Sequence, residues 1–343
     1  MNNYRRQLAG AAALALLMLF GSAADQTAFA QKDGGPMLKA KSLYASAQYD
    51  EVINTLSGYV DDASVPKDDK KEGYLLLGRS YLAKDKMDRA RSAIENLLSL
   101  EPPVIEPDPD RECPPLMKIY YDVRKSKSGN YAIERPDPGI QTIAVLDFMN
   151  RSIQDHDKYD PMEKGFAELM INELQGNVQL KLVERERISW ILDEIGMENN
   201  PELFDEGTAV RLGKQLGVHT VLLGSFIVMN DQIKLLTRLV KVETSEILAT
   251  EEATGDVDEF FDLTDELGIK VAKKINVTIA KSDTKTEEKT KSLDAMLRYS
   301  EGLALVERGD YEEAYQKFMA ALKADPSYQK AKDRADSLKP LIG

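Results

Sequence analysis

The side chains best suited to catalysis or metal binding are few and far apart in this chain of 343 residues. His156 and His219 are its two histidines, and Cys113 is its single cysteine. One thiol cannot form an intramolecular disulfide or supply the paired thiolates of a structural zinc site. We expect His156 to lie in an acidic loop and His219 to begin an apolar strand, neither acting as a base. Cys113 is interpreted as an incidental thiol, with an intermolecular disulfide as the alternative.

Two groups of carboxylates contain enough oxygen atoms to suggest a cation site. The first group alternates with prolines (Glu106, Asp108, Asp110, Glu112), and the second surrounds the start of a predicted helix (Asp256, Asp258, Glu259, Asp262). Calcium loops place their oxygen ligands around a glycine turn, and neither group has that spacing. The first group is typical of a solvated loop, and the second of a helix N-terminus, where acids complement the dipole. We therefore predict no metal site.

The sequence contains no P-loop, no GxGxxG motif and no GxSxG motif. The alternating charges of Glu184 to Arg187 are interpreted as a strand exit and a helix entry with ion pairs, rather than as a catalytic acid and its partner. The formal net charge is −13, and residues 140–280 contain 26 acidic against 14 basic side chains. Nucleic-acid binding needs a basic face. We therefore predict a non-enzymatic protein with no catalytic residues, no cofactor and no nucleic-acid partner.

Residues 1–30 have the pattern of a secretory signal peptide. Arg5 and Arg6 precede the apolar run Leu8 to Phe20, which is shorter than the roughly 20 residues of a spanning helix. Small residues at Ala28 and Ala30 fit a cleavage site. Ser22 stands where a lipoprotein signal would carry its lipid-bearing cysteine. We expect export to the periplasm, including a peripheral position at the outer membrane, without stable membrane insertion.

Both flanks of the chain show helical repeats. Small and large residues recur over 295–328 in the spacing of a helix-turn-helix unit of 34 residues (Gly302, Gly309, Tyr311, Ala314, Phe318, Ala321, Pro326). This segment resembles a tetratricopeptide repeat, and residues 71–104 resemble a second one. Residues 38–59 resemble a degenerate repeat, and 116–123 are predicted to add a helix. We therefore predict helical regions over 36–124 and over 294–339, the latter with a capping helix.

The resemblance to tetratricopeptide repeats implies a groove that binds partner segments. In the repeat register, Arg79 and Tyr299 are the residues expected to face that groove. Other envelope proteins are the partners expected there. The alternative interpretation is that both residues are ordinary packed or solvated helix positions. Since so few repeats are marginal alone, we expect both flanks to pack on the middle of the chain.

Residues 140–280 are predicted to form an α/β domain, between linkers at 125–139 and 281–293. Predicted strands cover 140–149, 178–183, 219–229, 232–242 and 247–254, and predicted helices cover 162–174, 185–195, 209–216 and 259–279. The fold class is thus α/β with flanking all-α tetratricopeptide-type repeats. Turns are expected at Asn230-Asp231 and at Thr244-Ser245.

The order and spacing of these elements, with Val183-Glu184-Arg185 and the strand entry Gly217 to Ser225, resemble the CsgG-like family. The resemblance implies an α/β sandwich, a capacity for homo-oligomers, and similarity to periplasmic adaptors of envelope assemblies. Pore-forming members carry two long hairpins, and this chain has no room for either. We therefore predict a scaffold or accessory protein for assembly of a surface polymer or envelope complex. The alternative is a CsgG-type outer-membrane secretion pore subunit for curli-like export.

Overall fold

The computed structural model describes residues 35–100, 107–128, 140–175, 179–183, 185–194, 206–277 and 290–342. The predicted signal peptide lies outside the described residues. Within them, the elements form an N-terminal helical unit, an α/β domain and a C-terminal helical unit, in the order predicted from the sequence.

The N-terminal unit is a stack of helices around a single apolar core. Its helices are α1 (Pro36–Ala45), α2 (Tyr49–Asp61), α3 (Lys67–Ala83), α4 (Met87–Leu97) and α5 (Pro114–Ser128). Gly78 lets α3 lie close to its neighbours, since a Cβ there would be 3.1 Å from Leu116 and 3.3 Å from Ile94. The helix predicted at 116–123 is longer than expected and extends into the predicted linker. It continues because no glycine or proline intervenes, and Lys125 and Lys127 complement its C-terminal dipole.

The α/β domain contains one five-stranded sheet in the order β2-β1-β3-β4-β5. Its strands are β1 (Gln141–Asn150), β2 (Leu180–Leu182), β3 (Thr220–Met229), β4 (Gln232–Lys241) and β5 (Ile247–Asp256). β1 pairs in parallel with β2 and β3, whereas β3, β4 and β5 form an antiparallel meander. Asn230 and Asp231 both have positive φ, as the two-residue turn between β3 and β4 requires. All five predicted strands are present in the structure.

Helices cover both faces of the sheet. They are α6 (His156–Tyr159), α7 (Met162–Leu174), α8 (Arg185–Glu194), α9 (Glu206–Leu216) and α10 (Phe260–Lys274). α7 and α10 share one core with the sheet, and α8 and α9 share a second core with its opposite face. α10 ends earlier than the predicted residue 279. Asn276 takes a left-handed conformation there, and the Val277 N–H donates to the Ala272 carbonyl at 2.9 Å.

The C-terminal unit comprises α11 (Leu293–Arg308), α12 (Tyr311–Ala324) and α13 (Gln329–Ile342). Gly309, at φ 80°, ends α11 and turns the chain into α12. α11 packs on α7, so the core of this unit is continuous with that of the α/β domain. α13 packs on α3, and Leu341 contacts both this core and that of the N-terminal unit. The expectation that both flanks pack on the middle of the chain is confirmed for the described residues by the contacts of α11 with α7 and of α5 with α8.

Among the described residues, no helix combines the length and the apolar character needed to cross a bilayer.

Candidate functional site

A buried group of charges lies where the three units meet; we call Asp110, Glu168, Lys330 and Arg334 the junction. Nζ of Lys330, in α13, lies 2.6 Å from Oε1 of Glu168 in α7 and 3.1 Å from Oδ2 of Asp110 in the N-terminal unit. One ammonium therefore contacts both of the other units. Burial tends to lower the pKa of Lys330, but Glu168 and Asp110 outweigh it and raise that pKa above its usual range.

Arg334 adds a second cation to the junction, one helical turn further along α13. Its Nη2 lies 3.1 Å from Oδ1 of Asp110, and its Nη1 donates to the carbonyl of Pro109 at 2.9 Å. Burial alone would raise the pKa of Asp110, yet Lys330 and Arg334 together lower it to about 2. Asp110 is therefore ionised at neutral pH and holds α13 against the segment that precedes α5.

A second charge group fixes the C-terminal unit to the sheet; we call Asp147, Lys164, Arg185 and Glu307 the Asp147 cluster. Nη1 of Arg185 lies 3.2 Å from Asp147 and 2.6 Å from Glu307, and Nζ of Lys164 lies 2.8 Å from Asp147 and also pairs with Glu307. Burial opposes ionisation of Asp147, but Lys164 and Arg185 hold its pKa below the usual range. The two cations bridge β1 to α11.

A register shift in β1 explains how Asp147 reaches its partners. Between Val145 and Phe148, β1 has one residue more than its neighbour β3. Such a bulge re-aims side chains. Asp147 and Phe148 consequently both contact α7, through Lys164 and through Phe166, whose ring centroid lies 5.9 Å from that of Phe148.

An aromatic contact joins the N-terminal unit to the opposite face of the α/β domain. Trp190, the single tryptophan of the chain, lies on α8 with its ring centroid 5.6 Å from that of Tyr121 in α5. The guanidinium carbon of Arg187 lies 5.0 Å from the centroid of the same tyrosine ring. The N-terminal unit thus contacts α13 through the junction and α8 through these rings.

The two residues predicted to face a partner groove are both engaged within the chain. Nε of Arg79 donates to Oε2 of Glu112 at 2.7 Å, and its Nη2 donates to Oε1 of the same buried carboxylate. Tyr299 is fully buried, with ring centroids 5.4 Å from Phe318 and 5.0 Å from Tyr328. In this structure Tyr299 is a packed helix position, as in the alternative interpretation, because these rings enclose it and α11 packs on α7. For Arg79, the structure has an internal ion pair where a partner contact was expected.

Both histidines of the chain make contacts within the α/β domain. His219 joins β3 to β1, since its Nδ1 accepts the Thr142 N–H at 3.1 Å and its own N–H donates to Thr142 Oγ1 at 2.9 Å. Nδ1 of His156 lies 2.8 Å from Oδ1 of Asp160. His156, Asp157 and Asp160 each have one possible metal-ligand atom, and these three atoms lie within 4.8 Å of one another. Asp160 also accepts a hydrogen bond from Nδ2 of Asn150 at 2.8 Å.

The first carboxylate group is the solvated loop that the sequence predicts only at Asp108, which is exposed. Asp110 belongs to the junction and Glu112 is buried against Arg79, while Glu106 lies outside the described residues. Cys113 beside them is buried, which raises the pKa of its thiol to about 12. The second group agrees with its prediction, because Asp258 and Glu259 form a 3₁₀ turn that leads into α10.

Sequence reasoning missed the junction because its members are far apart along the chain. Lys330 is 220 positions from Asp110 and 162 from Glu168. The available signal was the pair Lys330 and Arg334, which are four positions apart and so lie on one face of a helix predicted to be a polar cap.

The comparison with protein families identifies tetratricopeptide repeats. The family model described as "Tetratricopeptide repeat" matches residues 72–103 and 297–328. These matches correspond to α3–α4 and to α11–α12, so the repeats predicted at 71–104 and 295–328 are confirmed. The degenerate repeat predicted at 38–59 forms the helix pair α1–α2 but has no such match, and it stays a prediction.

Three solved structures that match part of this chain are distant from it. The LpoB C-terminal domain from Escherichia coli has a TM-score of 0.28 and 20% identity over 36% of this chain and 87% of its own. The LpoB C-terminal domain from Salmonella enterica has a TM-score of 0.29 and 19% identity, over 35% of this chain and 87% of its own.

Lipoprotein GNA1162 from Neisseria meningitidis has a TM-score of 0.28 and 16% identity, over 39% of this chain and 94% of its own. Values this low carry no conclusion about function. No curated protein matches the chain. The chain therefore carries tetratricopeptide repeats, helical units that serve protein–protein contact, around an α/β domain whose CsgG-like character stays a prediction.

Proposed function

We propose that this protein is a non-enzymatic scaffold of the bacterial envelope, which holds partner proteins together during assembly of a surface polymer or envelope complex. The observation that supports the proposal is the way tetratricopeptide units are fixed on both sides of the α/β domain. The junction connects α13 to α7 and to the segment before α5, and the Asp147 cluster connects α11 to β1. Such a body presents its remaining surfaces to partners in a fixed relative orientation.

The occupied groove positions change where partners are expected to bind. Arg79 is paired with Glu112, and Tyr299 is enclosed by aromatic rings. The repeats serve first to assemble the protein itself. Partners would then bind surfaces outside these two groove positions, including exposed parts of the α/β domain.

The resemblance of residues 140–280 to the CsgG-like family, together with the leader-like residues 1–30, supports a periplasmic location. The secretion-pore alternative needs long hairpins. The β3–β4 turn has only Asn230 and Asp231 between its strands, and β5 passes directly into the turn Val257–Glu259. These short connections favour the scaffold over the pore.

A reconstitution experiment tests the scaffold proposal. The full chain is immobilised and incubated with envelope extract from the bacterium that encodes it, beside an unrelated protein of similar negative charge as a control for ion exchange. We expect at least one protein to be retained by this chain alone and to form a stoichiometric complex after purification. If no protein is retained, the scaffold proposal fails. Conductance after addition of the chain to liposomes would instead indicate the pore.

Export is tested separately by fusing residues 1–30 to alkaline phosphatase, which folds only after export. Enzyme activity in intact cells is expected. A fusion that stays inactive in the cytoplasm would contradict the periplasmic location.

A further inference from the structure

One end of the sheet exposes two large apolar side chains. Met229, at the end of β3, is 58% exposed, and Ile227 on the same face of that strand is 37% exposed. The α8 and α9 core covers only the other end of this face, at Val221 and Leu223. Exposed apolar groups that are adjacent on a rigid sheet mark interaction sites more often than scattered ones do.

The chain after β1 brings a third apolar side chain to the same end. The Arg151 N–H donates to the Phe226 carbonyl at 2.8 Å, and Ser152 Oγ accepts the Val228 N–H at 2.8 Å. These bonds hold the chain beside β3, and Ile153 follows directly with 93% of its surface exposed. Because the backbone directly before Ile153 is held, less conformational entropy is lost when a partner binds than for an isoleucine on a free chain.

Aspartates lie in the segments next to these apolar side chains. The loop after β1, the β3–β4 turn and the end of β5 supply them (Asp155, Asp157, Asp160, Asp231, Asp256, Asp258). The segments are adjacent, since the Val257 N–H donates to the Asp231 carbonyl at 2.9 Å and Lys158 lies within electrostatic reach of Asp155 and Asp231. Lys158 and Arg151 are the basic residues in these segments, and Lys234 beside Ile227 is paired with Glu252 at 2.7 Å. The surface is strongly negative.

We propose that Ile153, Ile227 and Met229, with Asp155, Asp157 and Asp231 around them, form a docking surface for a basic segment of a partner protein; we call it the β3 tip surface. Apolar side chains of the segment bind the three exposed groups, and its Lys or Arg side chains face the aspartates. This inference rests on the scaffold function and names the chemistry of the partner. A second copy of this chain would bring aspartates against aspartates, and the same negative charge would repel anionic lipid.

The probe is a set of peptides selected from a random library for binding to the full chain. We expect enrichment of peptides that combine Lys or Arg with neighbouring apolar residues. The double variant Ile153→Ser/Met229→Ser should weaken these peptides at least about tenfold. The matched control Ile269→Ser/Met319→Ser changes exposed residues on α10 and α12 and should leave affinity unchanged. All four side chains are exposed, so each variant should keep the wild-type melting temperature.

Charge is tested by Asp155→Asn/Asp231→Asn, because asparagine also tolerates the left-handed backbone at these positions. This variant should bind the peptides more weakly and with a shallower salt dependence. Selected peptides without positive charge, or equal binding by tip and control variants, would overturn the inference. So would a homodimer that Met229→Ser abolishes, or binding to phosphatidylglycerol vesicles.

The envelope-extract experiment separates this inference from the scaffold function. If Ile153→Ser/Met229→Ser retains the same partners as the wild type, the β3 tip surface is wrong and the scaffold stands. If the extract yields no partner while basic peptides still bind at the tip, the scaffold fails and the surface stands.

Discussion

Single charged residues determine how the three units hold together. Asp110 shows this most clearly, since its carboxylate contacts both Lys330 and Arg334. A carboxyl with a pKa of about 2 in the folded chain, against roughly 4 unfolded, stabilises the fold above pH 4. That contribution is lost as pH falls through about 2, because the protonated form no longer attracts the cations.

We therefore predict that Asp110→Asn lowers the free energy of unfolding by about 3 kcal/mol at pH 7, because two buried cations lose a charged partner. Between about pH 4 and pH 2, stability should fall less steeply in the variant than in the wild type, by about 2 kcal/mol in total. Urea titrations at fixed pH, followed by the fluorescence of Trp190, measure both effects. Asp336→Asn is the control, since Asp336 is exposed beside Lys339. Parallel pH profiles for wild type and Asp110→Asn would contradict the prediction.

Arg185 has the corresponding role in the Asp147 cluster. Its side chain is 4% exposed and pairs with both carboxylates. Arg185→Met should lower the unfolding free energy by about 3 kcal/mol and increase hydrogen exchange in α11, because Asp147 and Glu307 keep only Lys164 between them. Arg185→Lys should recover part of the loss, although lysine lacks the forked geometry of arginine.

Arg238→Met is the matched control for Arg185, because Arg238 is 54% exposed in its pair with Glu206. Exposed pairs contribute at most about 1 kcal/mol. Equal losses in Arg185→Met and Arg238→Met would show that the Asp147 cluster is not a fixed connection.

At the scale of elements, close helix packing depends on particular small residues. Gly165 lies where α7 crosses α11, and a Cβ there would be 2.5 Å from Ser300 Oγ and 3.1 Å from Met296 Cε. The repeat signature itself was visible in the sequence, because Gly302, Ala314 and Ala321 recur at fixed spacing. Gly165 lies outside the repeats, and no periodicity indicates that a distant helix will pack against it.

We predict that Gly165→Ala destabilises the protein by about 1 to 2 kcal/mol, because steric overlap exceeds the gain in helix propensity. Adding Ser300→Ala removes the nearest atom and should restore part of that stability. Gly58→Ala is the control, since nothing lies within 4 Å of its added Cβ, and it should be neutral or stabilising. Thermal unfolding monitored by calorimetry measures all four proteins. A stabilised Gly165→Ala variant would show that α7 and α11 are not in close contact.

Sequence patterns predicted the strands and most helices because each depends on local periodicity and turn residues. The five strands, the Asn230-Asp231 turn and both matched repeats are examples. The partner groove was not predictable in the same way. Whether Tyr299 is open or buried depends on α7 and α13, and the helical pattern of α11 does not indicate which element packs on it.

At the scale of the whole molecule, α13 connects the C-terminal unit to the N-terminal unit. It supplies Lys330 and Arg334 to the junction, packs on α3, and places Leu341 between two cores. Because α13 makes these three contacts, we infer that the arrangement of the three units depends on this helix.

Truncation before Gln329 should therefore separate the N-terminal unit from the C-terminal unit. We expect a larger radius of gyration by small-angle scattering and faster tryptic cleavage, because α3 and Asp110 lose their partners. Lys330→Met/Arg334→Met keeps the helix and should give an intermediate effect. Unchanged scattering from the truncated chain would mean that the remaining contacts, including those of α5 with α8, are enough to hold the N-terminal unit in place.

The buried thiol of Cys113 allows local opening of the chain to be measured by the rate of chemical labelling. It follows Glu112, three residues after Asp110, and lies within electrostatic reach of Tyr44, Tyr49 and Tyr311, which belong to both helical units. A disulfide reagent can reach it only when the packing around it opens. Because the chain has a single cysteine, the labelling rate of unmodified protein would measure how often the core of the N-terminal unit opens around Cys113, without any introduced probe.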